Sequence, residues 1–119
     1  MNKQQIFDKV KTHLLTQMKR SSIIKYDNSI CLYRGPDGLM CAAGCVIPDS
    51  IYDRRMEGKT IGVIISGTAF NMPAWMNQNQ NKHLLTSLQD LHDSVDPSDW
   101  GSALKRVAET YELEYEEDT

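Results

Sequence analysis

The side chains in this sequence that could carry covalent or metal chemistry are Cys31, Cys41 and Cys45, with His83 and the adjacent pair His92-Asp93. The three thiols are separated by nine and three residues and contain no Cys-x2-Cys pair. A zinc site would therefore need His83 or His92 as a fourth ligand and all the sulfurs converging. A thiol nucleophile is the other chemistry on offer, with Cys41 or Cys45 attacking, His92 as base and Asp93 orienting it. Such a thiol must be acidified by a helix N-terminus or a cation, and a strand supplies neither. Buried cysteine otherwise behaves as a small apolar residue, and that reading is adopted for all three, with no metal or cofactor expected. Gly58-Lys59-Thr60 has the ending of a phosphate-binding loop, but the glycine required five positions earlier is Asp53, so turn chemistry accounts for it.

The elements that must position these residues follow from apolar periodicity. Ile6, Phe7, Val10, Leu14, Leu15 and Met18 fall at helical spacing, and Asn2 with Gln5 makes a capping box, so a helix starts near residue 3. Residues 30–34 and 39–47 flank Gly35-Pro36-Asp37-Gly38, which predicts a β-hairpin with Cys31 and Cys41 on opposite faces. Pro48-Asp49 opens a short turn or helix. Residues 60–66 are rich in β-branched side chains and fit a strand or a short buried helix equally. Leu84, Leu85, Leu88, Leu91 and Val95 form the clearest apolar stripe, a helix over about 81–95 stopped by Asp96-Pro97. A last helix carries Trp100, Leu104, Val107, Ala108 and Tyr111. The expected architecture is α+β: an N-terminal helix, a β-hairpin or small antiparallel sheet, and two or three C-terminal helices.

The composition suits one folded domain over residues 1–119: 40% of the residues are hydrophobic and 24% charged. The acidic tail, about 113–119, is expected to fray. The net charge of −3 hides a polarity, since residues 1–26 hold Lys3, Lys9, Lys11, Lys19, Arg20 and Lys25 against Asp8 alone, while the tail holds Glu114, Glu116, Glu117 and Asp118 without a base. These ends could attract each other within one molecule or between copies, or dock separate partners. A sequence pI near 5.5 disfavours nucleic acid as a partner, although the basic first helix keeps it as an alternative. No apolar run reaches the length of a membrane span and the N-terminus lacks a secretory core, so a reducing, intracellular setting with free thiols is expected.

Apolar side chains in the loop Phe70–Met76 suggest an interface, although they could equally fold back onto the core. The segment Cys31-Leu32-Tyr33-Arg34-Gly35-Pro36-Asp37-Gly38-Leu39-Met40-Cys41-Ala42-Ala43-Gly44-Cys45-Val46-Ile47-Pro48-Asp49, with Tyr52 and Met56-Glu57-Gly58, resembles small proteins of tailed bacteriophages and prophages. The likeness continues through Leu88-Gln89-Asp90-Leu91-His92-Asp93 and Trp100. It carries over no catalytic residue. It implies a viral origin and action in the host cytoplasm, where such proteins often bind a bacterial host protein, a defence or nucleic-acid-processing factor among the candidates. The expected function is therefore non-enzymatic binding and modulation of a host protein. The residues expected to make contact are Tyr33, Arg34 and Asp37 at the hairpin tip, Met72, Trp75 and Met76 in the loop, and Glu116 and Glu117 in the tail. A homodimer through the C-terminal helices is a further option. The enzymatic alternative is a thiol-dependent or zinc-binding activity of Cys41 or Cys45 with His92.

Overall fold

The structure is a computed structural model and describes residues 1–117. Helix α1 (Lys3–Gln17) opens on the expected capping box: the Asn2 side chain accepts from the Gln5 N–H, and the Gln5 side chain accepts from the Asn2 N–H. The apolar face of α1 is buried at Ile6, Phe7, Val10 and Leu14. Strands β1 (Ser22–Lys25) and β2 (Asn28–Cys31) follow as a two-stranded antiparallel sheet. Three α-helices follow among the described residues: α2 (Ile61–Ser66), α3 (Asn81–Ser94) and α4 (Trp100–Thr110). The fold is α+β, as the patterning predicts.

The open choice at residues 60–66 falls to helix. Thr60 caps α2 by accepting from the Val63 N–H, and Ile61, Ile64 and Ile65 are buried together at helical spacing. The centre of the packing is α3, which lies against α1, α2 and α4. Its Leu84, Leu85 and Leu88 are fully buried with Trp100 and Met56.

The hairpin lies one segment earlier than expected. Its register pairs Ser22 with Cys31 and Lys25 with Asn28, around a turn in which Tyr26 (φ 51°) and Asp27 (φ 63°) both adopt the left-handed conformation. Two such residues make the turn whose twist matches a two-residue hairpin, a geometry that usually selects Asn-Gly. Tyrosine there hides the signal. Around Gly35-Pro36-Asp37-Gly38 only a single bridge forms, between Arg34 and Met40. Beyond it residues 41–47 coil in helical turns, with Cys45 N–H donating to the Cys41 carbonyl at 3.1 Å and Ile47 N–H to the Ala43 carbonyl at 3.3 Å. Every residue of 41–47 is buried, so no two-faced alternation survives. Gly44 makes this possible: a Cβ there would sit 2.1 Å from the Tyr33 carbonyl oxygen.

The expectation of a frayed tail extends to residues 118 and 119, which lie outside the described residues. Over 113–117 the chain packs on α1. The Glu114 N–H donates to the Gln4 side chain at 2.9 Å, Lys11 Nζ donates to the Glu116 carbonyl, and the Tyr115 ring lies 6.3 Å from Phe7 with Lys11 Nζ 4.8 Å from its centroid. The tail thus folds back onto the basic first helix, while the Glu117 carboxylate pairs with Lys105 of α4 at 3.4 Å.

Candidate functional site

A cleft of about 640 Å³ opens between β2, the segment 58–62 and α3. Ser29, Cys31 and Leu32 line it from β2 and the residue after it, Lys59 to Gly62 from the segment before and into α2, and Thr86, Gln89, Asp90 and Asp93 from α3. Tyr33 and Cys41 close its floor. Asp90 and Asp93 face it together because they are three residues apart on one helix.

At the inner end, ligand atoms of Cys31, His92 and Asp93 lie within 4.8 Å of one another. The hydrogen bonds decide what this group can do. Ser21 N–H donates to His92 Nε2 at 3.1 Å, so Nε2 is an acceptor and the ring proton sits on Nδ1, from which it reaches Asp93 Oδ1 at 2.7 Å. Both nitrogens are occupied. Metal ligation through Nδ1 would move the proton to Nε2, directly against the buried Ser21 N–H. His92 is fully buried and stacked on Trp100 at 5.6 Å, so the ring joins the end of α3 to the start of β1.

Electrostatics at the thiols oppose nucleophilic chemistry. Burial, followed by the hydrogen bond to Asp93 and its charge, pushes the Cys31 thiol up to about 11. Burial pushes Cys41 and Cys45 up to about 12. Cys45 Sγ donates to the Ala42 carbonyl at 3.1 Å and Cys41 Sγ accepts from the Gly44 N–H at 3.3 Å. For Asp93, burial raises the carboxyl, but hydrogen bonds from His92, Cys31 and Gln89 prevail and hold it below its ordinary range. Asp93 is therefore a fixed anion at the cleft wall.

Several expectations need correction. Cys31 and Cys41 line the same cleft instead of opposite faces, and the thiol beside His92-Asp93 is Cys31, not Cys41 or Cys45. Tyr33 is only 6% exposed, and Met76 is fully buried, so neither presents a contact surface. Arg34 is used internally: it bonds Asp49 at 2.5 Å and the Ile47 carbonyl at 2.7 Å, with its guanidinium 4.9 Å from the Tyr52 ring. Glu57 gathers the same loop by accepting from the Tyr33 N–H, the Arg34 N–H and the Tyr52 hydroxyl. Met72 and Trp75 are half-buried against the core, and the Trp75 carbonyl accepts from Asn81 at 2.6 Å. The loop thus caps the core. Asp37, Glu116 and Glu117 are exposed. His83 is exposed at the start of α3, apart from the cysteines. The basic residues of the N-terminal segment do not form one face, since Arg20 is tied to the His92 and Val95 carbonyls and Lys11 lies under the tail.

The exposed apolar side chains are elsewhere. Ile24 is 81% and Tyr26 87% exposed, at the end of a hairpin whose main packing partner is itself. Ile24 pairs with Ser29 and shares its face of the sheet, and Ser29 and Cys31 line the cleft. The sequence signal was present as Ile23-Ile24 followed by Asp27-Asn28, but the glycine-bearing segment downstream was the more conspicuous turn. No helix among the described residues is long and apolar enough to cross a membrane. Compared with known proteins, the chain matches no family model, no curated protein and no solved structure.

Proposed function

We propose that this chain is a non-enzymatic protein-binding module that engages and modulates a bacterial host protein through the hairpin tip and the cleft beneath it. The observation that carries this reading is the exposure of Ile24 and Tyr26 on the two-stranded sheet. Large apolar side chains held exposed on a hairpin suit the centre of a protein interface, where they fill pockets on the partner. Against catalysis stand the raised thiols and a histidine with neither nitrogen free. The likeness to small phage proteins supplies the setting, the cytoplasm of an infected cell, and with it the class of partner. Tyr26 replaced by a photo-crosslinking phenylalanine derivative in the full chain, expressed in bacteria, tests this. One host protein is expected to be captured, lost on Ile24→Asp and kept on Glu109→Gln at a distant exposed site of α4. Absence of an adduct, or an adduct indifferent to Ile24→Asp, overturns the reading.

A further inference from the structure

We infer that the cleft takes an extended segment of the partner, paired as a third strand on the outer edge of β2 and directing a basic side chain at Asp90 and Asp93. This rests on the protein-binding reading above and specifies its chemistry. Leu32 N–H donates to the Ser21 carbonyl at 2.8 Å, which makes 21 and 32 a hydrogen-bonded pair. Antiparallel alternation then leaves Ser22 opposite Cys31, and Ile24 opposite Ser29, as pairs whose backbone groups point outward. Among the described residues, the outward N–H and C=O of Ser29 and Cys31 have no hydrogen-bond partner. Ser29 and Cys31 both line the cleft, whereas no residue of β1 does, so the edge turned toward it belongs to β2.

The cleft has the shape and charge for such a strand. A volume of about 640 Å³ is ample for several residues. Gly58 and Gly62 also line the cleft and leave open space, since a Cβ added at either meets nothing within 4 Å. The half-buried Leu32 offers apolar contact for the stem of a lysine or arginine, while its head reaches the α3 carboxylates. Asp90 is exposed and has no hydrogen bond or ion pair among the described residues. Asp93 is held ionised. Lys59 is turned to the Arg55 carbonyl at 2.8 Å and leaves Asp90 to a ligand, while Asp93, whose Oδ1 already accepts from His92 and Gln89, adds its charge. Backbone pairing supplies affinity in strand addition, and pockets for alternate side chains supply specificity.

The probe is a displayed library of random eight-residue peptides panned on the full chain, with affinities of selected peptides measured by calorimetry. Selected peptides are expected to carry Arg or Lys at a fixed position. Ser29→Pro removes an outward N–H that the hairpin ladder does not use, and is expected to weaken binding about tenfold, the value of one hydrogen bond. Ser22→Pro, on the other edge, is expected to bind as before, and Asp90→Lys to weaken binding about tenfold or more. Should Ser29→Pro fail to fold, N-methylation of alternate peptide amides tests the same pairing from the ligand side. Peptides without a basic preference, or binding indifferent to N-methylation and Ser29→Pro, overturn the inference. So does a dimer in solution broken by Ser29→Pro, which assigns the edge to a second copy. Failure to select any peptide while the Tyr26 adduct persists sinks strand addition alone, whereas loss of the adduct sinks the protein-binding reading itself.

Discussion

At Cys31 the neighbouring carboxylate works against the thiolate. Burial and the hydrogen bond to Asp93 both favour the neutral thiol, and Arg20 opposes them only weakly. A rise from 9.0 to about 11 lowers the thiolate fraction near neutral pH by about 100-fold. Carbamidomethylation of the native chain at pH 8 is therefore expected to proceed about 100-fold more slowly at Cys31 than in the same chain unfolded, read by peptide mass mapping. Asp93→Asn should recover part of that rate. The sign for stability follows from the same shift. Because the folded value lies above the unfolded one, the contribution is fully present below about 9 and is lost as pH rises through about 11. His92, Asp93 and the cysteines were all legible as chemically capable residues, but their pairing was not. Whether an imidazole is a base, a ligand or a brace depends on what meets its two nitrogens, and here one of them meets the Ser21 backbone.

Gly44 shows how one element depends on the absence of a side chain. The helical turns of 41–47 press against the Tyr33 backbone so closely that no methyl group fits at position 44. Gly44→Ala is expected to cost about 3 kcal/mol, read as a Tm lower by roughly 10 °C in a thermal melt. Gly101→Ala is the control, since it lies within α4 and a Cβ there meets nothing within 4 Å. Helix propensity should make that variant neutral or up to about 1 kcal/mol more stable. The small residues Ala42-Ala43-Gly44 announced a close backbone approach in the sequence. They did not announce a helical turn, because an apolar run buried on every side has no period to read.

For the molecule as a whole, the last described residues act as a strap across α1. Tyr115 covers Phe7, which is fully buried, and its ring receives the Lys11 ammonium. Tyr115→Ala should lower stability by about 2 kcal/mol, measured as a shift in the urea midpoint with an unchanged slope.

Sequence alone determined the long helices and most of their buried faces, because period and capping are local: Asn2 with Gln5, and the leucine stripe of α3, need no distant partner to be read, although Met18, read into the first stripe, ends α1 at φ 49° and is exposed. It also announced the charge polarity of the two ends. Tertiary structure decided which apolar side chains face solvent, so that Trp75 and Met76 turned inward and Ile24 and Tyr26 outward. It decided the neighbours of each thiol as well. Those outcomes depend on contacts between segments far apart in the chain, and composition and spacing carry no record of them.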